Sequence, residues 1–371
     1  MNIMINAIAI DLIPMQEGGN NGGAKKFIID LIASLAKENQ NVVFHCYCYS
    51  TIGQELREHL IPYNIIIHVV TRLSKYFWNQ SNAKVLFCPF GSSSMPTRGL
   101  PVLSILYDLQ VKSYPQFFSR KERKNRENQI KYIKTKATKI IAISNFTCKE
   151  ALEHGFNNRK IRTIPINVNY NKMIEASYSE LKDTNNKNII LYPANLWEHK
   201  NHELLFTAFA MAVEKGLSPE ICLVCTGFGT KQRVDYLKSI IRGINQEERI
   251  ILTGYVDNRT LNQLYHKSIS MIFPSLYEGF GIPVIEAMSM GVPVCCSNTT
   301  ALKEVSSGAA MSFDPRNPST IADVICRITS DHSLRVKYRD KGYSQASIYK
   351  NRERMINEYS KAINETYWSS I

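Results

Sequence analysis

Two carboxylates eight positions apart, Glu278 and Glu286, flank the turn Gly279-Phe280-Gly281 within residues 274–297. A carboxylate accepts hydrogen bonds from both hydroxyls of a diol. Backbone N–H groups at a helix start, here Phe280, Gly281 and Ile282, attract an anion, and the glycines let the main chain come close to a ligand. This combination suits a ligand that carries both phosphate and hydroxyls. An ordinary surface turn with glutamates near a helix start would look the same, because the helix dipole favours acids there. The remainder of the chain has to decide.

The elements around the pair are readable. Residues 270–274 are apolar enough for a buried parallel strand, Pro283 suits the first helical turn and Gly291 its end, and 292–297 reads as the next strand. One glutamate then falls on the loop at a strand's carboxyl end and the other inside the helix. In an open α/β sheet that edge binds ligands.

Two other strand-to-helix loops could carry phosphate chemistry. Residues 16–24, Gln-Glu-Gly-Gly-Asn-Asn-Gly-Gly-Ala, lie between the first strand and first helix; Gly22 and Gly23 end the loop. They do not match the Gly-x-Gly-x-x-Gly dinucleotide fingerprint, and a flexible turn explains them equally well. Residues 192–202, Tyr-Pro-Ala-Asn-Leu-Trp-Glu-His-Lys-Asn-His, put Lys200 near a helix start, as a counter-charge for a diphosphate or as a solvated lysine. His199 and His202 lack a third ligand, so no metal site is expected. No Asp-x-Asp pair occurs in the chain to hold a divalent ion against a diphosphate. Cationic side chains and helix N-termini would have to stabilise a leaving group instead.

With 371 residues, 44% of them hydrophobic and 21% charged, the chain is expected to form two globular domains. No apolar run has membrane-spanning length, and the apolar start reads as a strand, so a cytoplasmic protein is expected. The nine cysteines fall in strand-like or helix-like runs; Cys222-x-x-Cys225 lacks a second pair for zinc, and reduced buried thiols are expected.

Strand-like and helix-like runs alternate throughout, the mark of parallel α/β architecture. Strands are expected near 3–10, 42–49, 65–70, 84–88, 102–107, 139–143 and 161–164, and again near 188–192, 220–226, 249–252, 270–274, 292–297 and 310–313. A polar stretch between the two sets reads as a linker. The expected domains are 1–170 and 188–350, joined by the linker 171–187, with a helix over 351–371. A helix is expected from His199, and the tail 334–368 should be helical.

The formal net charge is +13, and much of it is local. Between 112 and 139, Lys112, Arg120, Lys121, Arg123, Lys124, Arg126, Lys131, Lys134, Lys136 and Lys139 stand against Glu122 and Glu127. Ser119 would cap a helix carrying them. Such a face is either simply solvated or attracts anionic lipid head groups or a phosphorylated acceptor; no nucleic-acid motif accompanies it.

Taken in order, Asn-Gly-Gly-Ala (21–24), Tyr-Asp-Leu-Gln (107–110), Ile-Ala-Ile-Ser-Asn-Phe-Thr (141–147), the 192–202 segment, Leu-Tyr-Glu-Gly-Phe-Gly-Ile-Pro-Val-Ile-Glu-Ala-Met (276–288) and Ser-Asn-Thr-Thr-Ala-Leu-Lys-Glu-Val (297–305) give the chain a resemblance to retaining glycosyltransferases of family 4. The resemblance covers nearly the whole length. It implies a GT-B fold, with two Rossmann-like doubly wound parallel-sheet domains facing across a cleft. It also implies transfer of a hexosyl or deoxyhexosyl unit, with retention, from a nucleoside-diphosphate sugar to a glycan or glycolipid hydroxyl. GDP-mannose and bacterial surface polysaccharide are the members it most suggests. No cofactor or metal would be needed, and no protein nucleophile.

Carried over residue by residue, Glu278 contacts the transferred sugar and Glu286 the ribose. Phe280, Gly281 and Ile282, after Gly279, bind through backbone N–H groups. Lys200 meets the diphosphate, and Gly22 and Gly23 form the phosphate-side loop of the first domain. Loops at Gly227 and Tyr255 would face the base. Two positions depart from the family pattern. Tyr107-Asp108 stands where many members have His-Asp, and a tyrosine cannot act as an imidazole near neutral pH. Ala194-Asn195 stands where many have Gly-Arg; His199 either supplies part of the missing charge or is a structural or solvated histidine. A catalytically silent nucleotide-sugar-binding subunit, or another GT-B enzyme such as a phosphorylase or sugar-nucleotide epimerase, remains the alternative.

Overall fold

The computed structural model describes residues 2–17, 21–60, 63–77, 82–168 and 189–369. The expected linker, 171–187, and Gly18, Gly19 and Asn20 of the first loop lie outside them. The chain divides into two compact units, the first comprising 1–167 with 351–371 and the second 168–350.

Unit 1 is a seven-stranded parallel sheet of β1 (Ala7–Asp11), β2 (Val43–Cys48), β3 (Ile65–Val69), β4 (Val85–Cys88), β5 (Val102–Leu106), β6 (Lys139–Ala142) and β7 (Ile161–Thr163), ordered β3-β2-β1-β4-β5-β6-β7. The central strands are buried from end to end, whereas the edge strand β3 is largely half-exposed. A parallel sheet covered on both faces needs such nearly continuous apolar runs. The strand order reverses between β1 and β4.

Unit 2 repeats the plan with β8 (Ile189–Pro193), β9 (Cys222–Thr226), β10 (Ile250–Gly254), β11 (Ser268–Phe273), β12 (Val294–Ser297) and β13 (Met311–Phe313), ordered β10-β9-β8-β11-β12-β13. Here the order reverses between β8 and β11, which pair directly. The loops leaving those two strands therefore open the crevice in which a doubly wound sheet binds its ligand. Helix Ile282–Ser289 is backed by helix His332–Ile348, whose Gly342 sits against Met288 and whose Tyr343 lies over Gly291.

The strands fall where hydrophobic patterning puts them, and three boundaries differ for identifiable reasons. β1 begins at Ala7 rather than near residue 3 because the N–H groups of Ile3 and Met4 bond to side chains, Asn39 Oδ1 at 2.7 Å and Asn364 Oδ1 at 2.8 Å, not to a neighbouring strand. The helix expected from His199 begins at His202, after a 3-10 turn at Glu198–Lys200. Asn201 separates the two at φ 62°, its amide nitrogen donating to the carbonyls of Pro274 (3.2 Å) and Pro315 (2.7 Å). The tail is two helices, His332–Ile348 and Arg352–Trp368, with Asn351 capping the second through Arg354 N–H at 2.8 Å. That second helix completes unit 1: Tyr359 is fully buried against Phe27 and Phe87, and Arg162 pairs with Glu365 at 3.3 Å. All nine cysteines are free thiols.

Candidate functional site

The switch point of unit 2 gathers the expected donor residues. Lys200 ends the 3-10 turn after β8, and its Nζ meets Glu278 Oε1, on the loop after β11, at 2.5 Å. Both side chains are about one-seventh exposed, 15% and 13%, so water screens the pair only partly. Lys200 Nζ also lies 5.4 Å from the centre of the Phe273 ring at the end of β11. The two loops are joined by backbone as well: Leu276 N–H donates to the His199 carbonyl at 2.8 Å, and the buried Tyr192 hydroxyl donates to the Lys200 carbonyl at 2.6 Å.

Beyond Glu278 the chain turns through Gly279 and Phe280 into Gly281, whose φ of 97° only glycine adopts readily. A Cβ there would lie 2.5 Å from Leu302 Cδ2. No side chain caps helix Ile282–Ser289, whose first N–H groups are those of Gly281, its N-cap, and Ile282, with Phe280 just before them. Glu286 lies one turn into this helix, half-buried, with its carboxylate beside the buried Tyr265 phenol. Burial, and then that carboxylate, push the phenol's pKa well up.

The loops after β9 and β10 complete the edge. Gly227, at φ 138°, packs so tightly on the 194–195 backbone that a Cβ would sit 2.3 Å from the Ala194 carbonyl oxygen. Asn195, standing at the expected arginine position, uses Oδ1 to accept from Phe228 N–H at 2.9 Å. Trp197 and Phe228 form a half-exposed aromatic pair with ring centres 6.2 Å apart, and Tyr255 is 64% exposed on the neighbouring loop. His202, next to the site, is a core residue: it is fully buried against Tyr192 and Phe206, and burial pushes its pKa down to about 3. Arg233 ties the 194–200 loop to its helix through the Leu196 carbonyl at 2.8 Å and both oxygens of Glu203.

Unit 1 holds the other expected residues. Gly22, at φ 54°, caps helix Gly23–Glu38, with open space where a Cβ would be. Asp108 follows β5 and accepts from Gln110 N–H at 3.0 Å. Tyr107 turns its hydroxyl inward: the oxygen is buried without a hydrogen-bond partner among the described residues, and burial, then Tyr359, raises its pKa. Sequence reasoning missed Asp11, buried at the end of β1. It accepts from Ile13 N–H (3.0 Å), Ser93 Oγ (3.1 Å) and Ser94 N–H, and so joins the loops at this unit's own switch point. It also missed Thr300, whose Oγ1 accepts from Glu278 N–H at 3.2 Å.

The basic segment of unit 1 forms helix Arg120–Lys136, started by a reciprocal capping box between Ser119 and Glu122. Its acids are engaged, Glu122 in that cap and Glu127 with Lys112 at 3.1 Å. Arg126 lies 4.5 Å above the Phe118 ring. Spacings of four and seven put Arg120, Lys124 and Lys131 on one face, with Lys121 beside it, all exposed and without an acidic partner among the described residues.

Comparison with known proteins agrees with this architecture. Residues 174–345 match the model of "Glycosyl transferases group 1". O-antigen chain mannosyltransferase B of Escherichia coli is 38% identical over 115 residues, 31% of this chain and 30% of that protein. O-antigen chain mannosyltransferase RfbU of Salmonella typhimurium is 26% identical over 184 residues, 48% of each. The chain thus spans less than half the length of these relatives. Anabaena Alr3699/HepE in complex with UDP-glucose superposes with TM-score 0.75 at 17% identity, covering 96% of this chain and 98% of that one. Sucrose-phosphate synthase from Thermosynechococcus elongatus gives 0.73 at 18%, covering 96% and 98%. The fold is GT-B.

Proposed function

We propose that this chain, which carries a glycosyl transferases group 1 domain, transfers a hexosyl unit with retention from a nucleoside-diphosphate sugar, GDP-mannose foremost, to a hydroxyl of a glycan or glycolipid. The Lys200–Glu278 pair at the unit 2 switch point carries the reading. A cation for the diphosphate and an acid for sugar hydroxyls stand at one crevice, beside a helix start that no side chain caps by a hydrogen bond. The names of the mannosyltransferase relatives support the choice of sugar.

In this reading Lys200 and the N–H groups of Phe280, Gly281 and Ile282 stabilise the leaving diphosphate, so no metal is required. Glu278 orients the sugar through its hydroxyls, and Glu286 accepts from the ribose. The acceptor attacks from the face the diphosphate leaves, and the diphosphate takes the acceptor's proton. The anomeric configuration is then kept without a protein nucleophile. His199, Asn195, Gly227 and Tyr255 border the nucleoside.

The basic ridge of helix Arg120–Lys136 would hold the protein at the anionic inner face of a membrane, where a glycolipid acceptor is found. Each Lys or Arg near such a surface contributes about 1 kcal/mol. Among the described residues no helix is long and apolar enough to cross a membrane.

A thermal-shift screen against GDP-, UDP-, dTDP- and ADP-sugars identifies the donor, because a ligand that binds only the folded form raises the melting temperature. NMR of the first product linkage, formed in the presence of EDTA, then tests retention and metal independence together. Inverted configuration, or activity abolished by the chelator and restored by a divalent ion, would overturn the mechanism.

A further inference from the structure

Thr300 is a β-branched residue at φ 54°, a conformation such residues rarely adopt because Cβ crowds the backbone. It begins the helix Thr300–Ser306, where a first residue ordinarily has the negative φ of the helix, the extended cap being Thr299. Backbone strain of this kind persists only where surrounding contacts over-determine it. The contacts here converge on one residue. Thr300 Oγ1 accepts from Glu278 N–H at 3.2 Å, and Ala301 N–H donates to the Glu278 carbonyl at 3.3 Å. Both polar groups on the backbone of Glu278 are therefore held by the first two residues of the helix after β12. One position further on, Leu302 packs against Gly281, the last residue of the same turn.

We infer that Thr300 is a positioning residue: its left-handed conformation aims its hydroxyl and the next N–H at the Glu278 backbone and so fixes where that carboxylate stands. This rests on the donor-site reading above. The hydroxyl supplies the hold and the unusual φ supplies the aim, so the two can be separated. T300G accepts the conformation without strain but has no hydroxyl. T300S keeps the hydroxyl and loses only the branching methyl.

The test has a ligand-free arm and a catalytic arm. In the purified protein, T300G should speed amide hydrogen exchange at Glu278 about tenfold while leaving the melting temperature no lower than wild type, and T300S should restore slow exchange. With GDP-mannose and octyl α-mannoside, T300G should lower kcat about tenfold with donor KM within about twofold, and T300S should restore kcat. In an E278Q background T300G should cost nothing further, since the residue it positions is already disabled. Unchanged exchange at Glu278 in T300G, or full kcat despite faster exchange, overturns the inference. Faster exchange in T300G, together with a wild-type protein inert towards GDP-, UDP-, dTDP- and ADP-sugars, supports the clasp and overturns the donor-site reading instead.

Discussion

Lys200 and Glu278 neutralise each other across the switch point of unit 2, Nζ to Oε1 at 2.5 Å, from loops that leave two adjacent parallel strands. The lysine assigned to the diphosphate is thus already engaged by the acid assigned to the sugar. A donor must share the cation, and the acid has to be held where sharing is possible.

That relationship separates binding from turnover. E278Q should bind a nucleoside diphosphate at least as tightly as wild type, because Lys200 is released, while transfer falls about a hundredfold or more. E286A should do the opposite in kind, raising donor KM about tenfold, the scale of a lost hydrogen bond to a charged group. Isothermal titration with the diphosphate and initial rates with the sugar nucleotide distinguish them. Weaker diphosphate binding in E278Q would mean that Glu278 does not compete for the lysine.

Tyr107 stands at the position where the resemblance implies a histidine, and its hydroxyl is buried with no hydrogen-bond partner among the described residues. Y107F should therefore keep kcat within about twofold and leave the pH–rate profile unshifted. A large loss of kcat would show that the phenol reaches substrate.

His202 makes stability pH-dependent. Its imidazole is buried between aromatic rings, with both nitrogens unpartnered among the described residues, and its pKa lies near 3 against 6.5 when exposed. Between those values the unfolded chain takes up a proton that the folded chain refuses. Its stabilising contribution is present above pH about 6.5 and is lost as pH falls through the window, at up to about 1.4 kcal/mol per unit. H202F should flatten the fall in melting temperature between pH 7 and 5; an unchanged slope would assign the acid sensitivity to other groups.

Two glycines in unusual conformations should respond differently to alanine. At Gly227 a Cβ would collide with the Ala194 carbonyl, so G227A should cost more than about 2 kcal/mol in denaturant unfolding. At Gly22 the space is open, but φ 54° with ψ −146° is a combination that only glycine adopts readily, so G22A should cost about 2 kcal/mol, the conformational term alone. Equal losses would place the cost in φ rather than in contact.

Replacing Lys121, Lys124 and Lys131 with glutamate should abolish sedimentation with vesicles containing phosphatidylglycerol. Transfer to a water-soluble acceptor should stay within about twofold. Wild-type binding should weaken steeply with salt, as screening demands. Equal binding to phosphatidylcholine vesicles, or a preference for RNA, would remove the membrane assignment.

The parallel sheets were legible because strands buried on both faces must be almost continuously apolar, as β4 is and as β5 and β12 are but for one serine each. The carboxylate pair was legible because glycine and proline punctuate its turn. Asn201 was harder: an asparagine tolerates a positive φ, but nothing local announces that its amide will bridge Pro274 and Pro315. Thr300 was not legible, since its conformation runs against its own propensity and is held by a residue 22 positions away. Asp11 was not legible, since its bonds to Ser93 and Ser94 exist only once β1 and β4 are neighbours.

The helix Arg352–Trp368 belongs to unit 1, although 183 residues of unit 2 separate it from the rest of that unit. A ribosome therefore delivers the continuous unit 2 whole before the last piece of unit 1 exists. Phe27 and Phe87 must wait for Tyr359, with their faces exposed throughout that interval. The nascent half-finished sheet is the natural client for a chaperone, and expression yield should be more sensitive to changes in this helix than its few turns suggest.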